Sequence, residues 1–242
     1  MAVLSTVNWL KYQAIEALYP SLCAGCGKEG SFFCPNCTRR LPYLRGPVCY
    51  ACGRLLAVAG VCPECRRVPP AISSVKAPFE FEGSIRSAVH QLKYKDIRAL
   101  APPLAGFLYA YIRENGIQAD VLVPVPLYKS RLKERGYNQS ELLAARLGKL
   151  TGWPVVTDAL ERVRDSAPQA RAASAGERRR NVEGAFSCRG QALQGRAVLL
   201  VDDVCTTGAT LNACAQALKQ IPVSSVAAIA VARDCKNFPV ER

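Results

Sequence analysis

Several features that mark other classes of protein are absent, or nearly absent, from this sequence. No apolar run reaches the roughly 18 residues that a membrane-spanning helix needs. Lys11 and Glu16 interrupt the apolar N-terminal stretch, which lacks the pattern of a secretory signal. These absences predict a cytoplasmic protein without membrane insertion. The single histidine, His90, has no partner near it in the sequence, so we interpret it as a structural or interface residue rather than a general base.

Acidic residues are scarce as well, since 19 of them stand against 32 lysines and arginines, for a formal net charge of +13. A chain this basic attracts nucleic acid through a salt-dependent interaction that does not read sequence. The same charge also produces weak nonspecific binding, so composition alone leaves a specific nucleic-acid partner open. With 242 residues, half of them hydrophobic, the chain is long enough for one core and an appendage.

Cysteine, by contrast, is abundant, and eight of the 12 form four C-x-x-C pairs before residue 66. Each such turn directs two sulfurs toward one centre, so two pairs complete a tetrahedral Cys₄ site for Zn²⁺. Disulfides are the alternative in a secreted chain, but a cytosolic protein keeps its thiols reduced. We expect two structural zinc sites, paired either sequentially, which needs the shortest loops, or in interleaved order. The expected ligands are Cys23, Cys26, Cys34, Cys37, Cys49, Cys52, Cys62 and Cys65.

The character of the sequence changes at Val68-Pro69-Pro70. We expect residues 1–70 to form an N-terminal helix, over residues 4–18, and the zinc module, and residues 71–242 to form a second domain. In that domain strand-like and helix-like segments alternate, which predicts an α/β fold with a mainly parallel sheet and flanking helices. The expected strands are 75–82, 119–125, 184–187, 198–201 and 226–232, and the expected helices are 84–95, 97–114, 140–150 and 210–221.

The segment VLLVDDVCTTGATL, residues 198–211, is the most informative part of the chain. Its first four residues have the length and branching of a buried strand, so Asp202 and Asp203 should emerge at the carboxyl edge, where open α/β sheets bind ligands. The turn that follows, residues 205–210, is rich in hydroxyls, opens directly into a helix and suits a phosphate. Two carboxylates beside it suit the vicinal hydroxyls of a ribose, directly or through Mg²⁺. Cys205, inside the turn, is interpreted as a small packing residue.

This segment resembles the binding motif for phosphoribosyl pyrophosphate (PRPP) of type I phosphoribosyltransferases. The resemblance implies that Asp202 and Asp203 hold the ribose hydroxyls at the catalytic centre and that PRPP binds together with Mg²⁺. Members of the hypoxanthine-guanine type carry a base-contacting Asp where this chain has Thr206, which argues against that substrate. The implied phosphate-binding residues are Thr206, Thr207, Gly208, Ala209 and Thr210.

Three basic stretches lie where a polyanionic ligand would need them: after Pro126, over residues 162–180, and at Lys93-Tyr94-Lys95. The segments PVPLYKSRLKERGYNQ, RVRDSAPQ, ERRRNVEGAF and LKY together resemble the competence protein F family, in which a double zinc ribbon precedes a phosphoribosyltransferase domain. The resemblance covers nearly the whole chain. It implies that the pyrophosphate is contacted by Arg131 and Arg135, beside Asn138 and Gln139, and by a closing loop that carries Arg164 and Arg178.

Two functions follow as hypotheses. The first is an enzyme that transfers the 5-phosphoribosyl group to an acceptor that the sequence does not identify, held by a hood around residues 77–95. The second is a non-catalytic, zinc-dependent factor that binds single-stranded DNA in DNA uptake, with the uptake machinery among its partners and PRPP or a nucleotide as effector. Tyr43, Tyr50 and Tyr137 are candidate stacking groups for such a strand. The sequence leaves the general base and the oligomeric state open.

Overall fold

A parallel sheet forms the centre of the molecule, for which the computed structural model describes residues 20–165 and 181–235. The strands are β1 (Ser74–Lys76), β2 (Phe79–Glu80), β3 (Val121–Pro124), β4 (Leu160–Arg162), β5 (Phe186–Cys188), β6 (Ala197–Cys205) and β7 (Ser225–Arg233). Five of them make the central sheet in the order β1-β7-β6-β3, with β2 also paired to β7, and every pairing within it is parallel. The other two, β4 and β5, form a separate antiparallel pair.

Seven α-helices that lie wholly in the described residues surround or precede the sheet. They are α1 (Pro35–Thr38), α2 (Pro63–Arg67), α3 (Gly83–Tyr94), α4 (Ala101–Glu114), α5 (Lys129–Arg135), α6 (Gln139–Thr151) and α7 (Ala209–Leu218). The sequence accounts for several of their ends. The side chain of Asn138 accepts from the amide of Ser140 and so caps α6 at its N-terminus, while Gly152 ends that helix in a left-handed conformation.

The core lies on both faces of the sheet. Along β6, Val198 and Leu200 point to one face, where they pack with α7 and the β4–β5 pair, whereas Leu199 and Val201 point to the other, where α3, α4 and α6 pack. Strands that are buried on both faces read as continuous apolar runs, which is why this motif was recognisable as a strand. The predicted α/β fold, a mainly parallel sheet with flanking helices, is confirmed.

Some predicted elements differ from the observed ones. The predicted strand 75–82 is divided into β1 and β2 at Ala77-Pro78, because proline has no amide hydrogen to donate to the ladder. The predicted strand 184–187 does not join the central sheet but contributes to β5, which pairs with a strand, β4, that was not expected. Helix α5 was also not expected. The predicted helix over residues 4–18 lies outside the described residues.

The cysteine-rich segment packs directly on the sheet domain. Its Phe33 ring contacts Phe107 of α4 with centroids 5.1 Å apart, and Phe107 in turn contacts Phe79 of β2 at 5.4 Å. In the described ranges, no helix combines the length and the apolar character that crossing a membrane requires.

Candidate functional site

The acidic pair lies within β6 rather than after it. The strand continues four residues beyond the predicted end, because β7 pairs with it as far as Cys205 opposite Arg233. On the other side β3 ends at Pro124, opposite Val201. Asp202 and Asp203 therefore extend past the end of β3 at the carboxyl edge of the sheet, which is where ligands bind in open α/β folds.

Both carboxylates are held from several directions. Asp202 Oδ1 accepts from Ser140 Oγ at 3.0 Å and from the amide of Asp203 at 2.9 Å. Asp203 Oδ1 pairs with Lys93 Nζ at 2.7 Å, and its side chain is only 3% exposed. Asp203 Oδ2 is buried and has no hydrogen-bond partner among the described residues. An unpaired buried carboxylate oxygen is costly in a folded protein, so this atom suits a ligand hydroxyl or a hard cation.

The environment of Asp202 favours its protonated form. Burial, followed by the negative charge of Asp203, raises the pKa of Asp202 to about 7, against the opposing effect of Lys93. A carboxyl group with such a pKa can be ionised near neutral pH by a cation that arrives with a ligand.

The turn after β6 brings hydroxyls and backbone amides to the same edge. Gly208 takes a left-handed conformation, with φ of 81°, and α7 begins at the next residue. The hydroxyl of Thr207 accepts from the amide of Ala209 at 3.3 Å. A small cleft beside this turn is lined by Asp202, Thr206, Gly208 and Thr210. The predicted phosphate-binding residues 206–210 are thus brought together around one turn.

Cys205 is buried within this turn. Burial raises the pKa of its thiol, with the charge of Arg233 opposing that effect. Both observations agree with the interpretation of Cys205 as a packing residue.

Two of the predicted arginines line a second cleft. Arg131 and Arg135 lie on α5 and border a space of about 470 Å³, the basic cleft, whose lining also includes Lys93, Tyr94 and two acidic residues, Asp96 and Glu134. The Arg135 guanidinium lies 5.5 Å from the centre of the Tyr94 ring and donates to the side chain of Gln139. Lys93 lines this basic cleft and also pairs with Asp203, so the cleft lies next to the acidic pair.

Of the other two predicted arginines, only Arg164 lies in the described residues. Arg164 is exposed, follows β4, and donates to the backbone carbonyl of Glu183. The neighbouring Asp165 accepts from Ser130 of α5 at 3.2 Å, which connects this segment to the side of the basic cleft. Arg178 lies outside the described residues.

The eight paired cysteines form two separate clusters. The first contains Cys23, Cys26, Cys34 and Cys37, the second contains Cys49, Cys52, Cys62 and Cys65, and the sulfurs within each lie within 4.8 Å of one another. The pairing is therefore sequential.

The geometry of the clusters fits Zn²⁺. Four sulfurs at about 2.3 Å from one Zn²⁺ in a tetrahedron lie about 3.8 Å apart, and the Cys26–Cys34 and Cys52–Cys62 sulfurs are separated by 3.7 and 3.8 Å. Backbone amides support the thiolate form of Cys23, whereas the side chains of Cys23, Cys26 and Cys34 raise the pKa of Cys37 to about 12. Burial opposes ionisation of Cys23, but amides of Cys34, Cys26 and Gly25 outweigh it and lower its pKa to about 6.

Three functional candidates were not singled out as site residues from the sequence: Lys93, Ser140 and Arg233. Lys93 was visible only as part of a basic stretch at the end of a predicted helix, and nothing local linked it to Asp203. Ser140 could be expected only as the start of a helix. Arg233 follows the predicted last strand and gives no sequence signal, yet it is 2% exposed in the structure.

The structure contradicts one of the expectations for aromatic side chains and leaves the others as predictions. Tyr137 is buried, its hydroxyl donates to the carbonyl of Leu92, and Arg98 covers its ring at 4.4 Å, so the expectation that it stacks on nucleic-acid bases is wrong. Tyr50 and Tyr43 are 59% and 47% exposed. His90 is exposed and lies between the rings of Phe81 and Tyr94, as a structural or interface histidine would.

Comparison with known proteins gives two family matches along the chain. Residues 14–66 match the double zinc ribbon domain, and residues 90–237 match the phosphoribosyl transferase domain. Among solved structures, a glutamine PRPP amidotransferase from B. subtilis is similar at 21% identity with a TM-score of 0.38, covering 54% of this chain and 26% of that one.

Several curated proteins are similar to this chain over most of its length. Competence protein F of Haemophilus influenzae is 30% identical over 88% of this chain and 90% of its own length. DNA utilization protein YhgH of Escherichia coli K12 is 30% identical over 82% of each chain, and competence protein ComFC of Bacillus subtilis is 27% identical over 76% and 77%. With a double zinc ribbon followed by a phosphoribosyltransferase-type domain, the chain belongs to the competence protein F family.

Proposed function

We propose that this protein is a cytoplasmic, Mg²⁺-dependent phosphoribosyltransferase that acts in DNA utilisation. One observation carries the proposal: a buried acidic pair with an unpaired carboxylate oxygen lies beside a hydroxyl-rich turn on one side and a basic cleft on the other. A phosphorylated ribose with a diphosphate at C1 has a diol, a phosphate and a polyanion in the same order. Each part of PRPP thus meets a group of complementary chemistry.

In the proposed binding mode Asp202 and Asp203 accept hydrogen bonds from the ribose 2' and 3' hydroxyls. The amides and hydroxyls of residues 206–210 receive the 5'-phosphate, and Arg131 and Arg135 face the diphosphate. Bound Mg²⁺ would supply charge neutralisation for the departing diphosphate, and the unpaired oxygen of Asp203 is a suitable donor for it.

The proposed reaction is a displacement at C1 of the ribose. The bond from C1 to the diphosphate oxygen breaks and its electron pair leaves with the diphosphate, while a nucleophile, commonly a nitrogen, forms the new bond to C1. The buried carboxylates favour the positive charge that develops on the sugar in the transition state. The basic side chains stabilise the negative charge on the leaving group.

Calorimetric titration of PRPP with Mg²⁺ into the zinc-loaded protein tests the proposal. We expect micromolar binding to the wild type and no measurable binding to the Asp202→Asn/Asp203→Asn variant. Glu114→Gln, an exposed acid at the end of α4, is the control for a simple change of charge. A folded wild type that does not bind PRPP would remove the basis for the transferase, whereas binding would justify screening acceptors by release of pyrophosphate.

A second candidate function is binding of single-stranded DNA by the zinc ribbons. Tyr50, between ligands Cys49 and Cys52, is 59% exposed, and the ribbons carry exposed basic side chains at Lys28, Arg39, Arg40, Arg45, Arg66 and Arg67. Exposed aromatic rings next to cations are the usual platform for single-stranded nucleic acid.

Fluorescence anisotropy with a labelled oligo-dT strand at several salt concentrations tests this second function. We expect Tyr50→Ala to weaken binding at every salt concentration and Asp202→Asn/Asp203→Asn to leave it unchanged. An unaltered affinity for Tyr50→Ala would indicate that the attraction is only that of a basic surface.

A further inference from the structure

Arg233 connects the second zinc cluster to the turn that follows the acidic pair. It is the last residue of β7 and lies opposite Cys205, the last residue of β6, at the same edge of the sheet as Asp202 and Asp203. Its side chain is among the largest that are fully buried in the described part of the chain. A buried guanidinium at this edge needs a structural explanation, because arginine is rarely buried without a partner.

The partners of Arg233 come from both sides of this junction. Its Nη1 donates to the backbone carbonyl of Cys52 at 2.5 Å and to the sulfur of Cys205 at 3.2 Å. Its Nη2 is buried and makes no hydrogen bond within the described ranges. One guanidinium therefore holds a zinc-ligand residue and a residue of the proposed phosphate turn, which are far apart in the sequence.

The buried positive charge of Arg233 needs a compensating negative charge, and the second zinc cluster can supply it. No salt bridge with a carboxylate is found for it in residues 20–165 and 181–235. A Zn²⁺ ion bound by four thiolates has a net charge of about −2. A loaded second cluster would therefore supply the negative charge next to which a buried guanidinium is stable.

The ribbon is also fixed closely at this junction. Gly53, next to Cys52, has φ of 69°, and a Cβ atom there would lie 2.3 Å from the carbonyl oxygen of Val75 and 3.4 Å from Arg233 Nη1. Only glycine permits this approach, so the backbone of the second ribbon contacts both β1 and Arg233 without an intervening side chain. A rigid contact of this kind can transmit a change at the zinc site to the sheet edge.

We propose that Arg233 is a positioning residue through which zinc binding at Cys49, Cys52, Cys62 and Cys65 orders the turn of residues 205–210. The role of that turn in binding phosphate rests on the function proposed above. Because such coupling is reciprocal, PRPP binding and zinc retention at the second cluster strengthen each other. The first cluster, Cys23, Cys26, Cys34 and Cys37, lacks a contact of this kind with the turn in the described residues, and its loss leaves the turn ordered.

Hydrogen exchange of the peptide that contains residues 205–210, measured by mass spectrometry on the full chain, tests the ordering without any ligand. Cys26→Ser and Cys52→Ser are matched variants, because each removes the second cysteine of the first pair in its cluster. We expect Cys52→Ser and Arg233→Met to speed exchange in the turn, Arg233→Lys to have an intermediate effect, and Cys26→Ser to have none. Equal exchange in Cys26→Ser and Cys52→Ser, or an unchanged turn in a folded Arg233→Met, would overturn the proposal.

PRPP binding then separates this inference from the proposed function. Titration of PRPP with Mg²⁺ into Arg233→Met should give an affinity at least about tenfold weaker than in the wild type, the size expected for loss of one charge-assisted hydrogen bond. PRPP that binds the wild type and Arg233→Met equally would contradict the coupling and leave the transferase intact. If PRPP fails to bind the wild type while the exchange results are as expected, the ordering by zinc stands and the transferase does not.

Discussion

Replacing Asp202 by asparagine should stabilise the fold while it abolishes PRPP binding. Asp202 Oδ1 accepts two hydrogen bonds, from Ser140 and from the amide of Asp203, and an asparagine side chain can accept both through its own oxygen. The substitution therefore removes the charge and little else. The stabilisation arises because the folded protein disfavours the charged form of this residue, mainly through burial.

The size of the effect follows from the pKa of Asp202, which rises from 3.8 to about 7 on folding. Between these values the folded chain binds more protons than the unfolded chain, so the wild type loses stability as the pH rises and reaches a plateau above about pH 7. Relative to the asparagine variant, the loss is about 2 kcal/mol at pH 5.5 and about 4 kcal/mol at pH 8. The difference between the two pH values, about 2 kcal/mol, is the quantity to measure.

Urea unfolding of zinc-loaded wild type and Asp202→Asn at both pH values gives this difference. Zinc release and titrating groups that do not interact with Asp202 affect both proteins equally and cancel in the comparison. Asp120→Asn is the matched control, since Asp120 is exposed and its side chain also accepts from a backbone amide, that of Ala197. A gain for Asp202→Asn that is the same at both pH values, or a loss at pH 8, would refute the argument that burial of the charge dominates at this site.

Three further predictions follow from neighbouring features. Lys93→Met leaves the buried Asp203 without its cation and should lower the free energy of unfolding by about 3 kcal/mol near pH 8. In a double-mutant cycle, adding Asp203→Asn should restore most of this loss. Additive losses would show that the two side chains do not interact. Gly208→Ala should lower the free energy of unfolding in urea by about 1 kcal/mol, because Gly208 has a left-handed backbone conformation, and it should weaken PRPP binding. The control Gly106→Ala, in the interior of α4, should not destabilise the protein. Equal unfolding free energies for the two variants would contradict this prediction. Removal of zinc with a chelator should lower the melting temperature, and added Zn²⁺ should restore it; an unchanged melting curve after loss of both ions would exclude a structural role.

The central strand and its turn could be predicted because their information is local. Val198 to Val201 form a continuous apolar run, and the acidic pair and the turn follow within a few residues. The end of β6 could not be located in this way, since pairing with β7 extends it to Cys205. The zinc ligands were also predictable from spacing alone, whereas the sequential pairing was decided only by the positions of the sulfurs.

The parts of the site that the sequence did not predict depend on contacts between distant segments. Lys93 and Asp203 lie on different elements, and their pairing follows from the packing of α3 against the sheet. The predicted strand 184–187 contributes to β5, but its partner β4 was missed because a strand of three residues shows no measurable periodicity. Tyr137 illustrates the opposite error, because a tyrosine among basic residues suggested an exposed ring although its hydroxyl binds the interior carbonyl of Leu92.

The position of β7 between β1 and β6 has a consequence for the order of folding during synthesis. The ribbon cysteines leave the ribosome early and can bind metal with short loops, but Cys52 is 181 residues from Arg233 and β1 is more than 140 residues from its partner strand. Contacts of such high sequence separation form late and slowly. Until β7 has been made, β6 has an unpaired edge beside its acidic pair. We therefore expect nascent chains to pass through a stage in which the cysteine clusters can bind metal while the sheet is open and the proposed ligand site is incomplete.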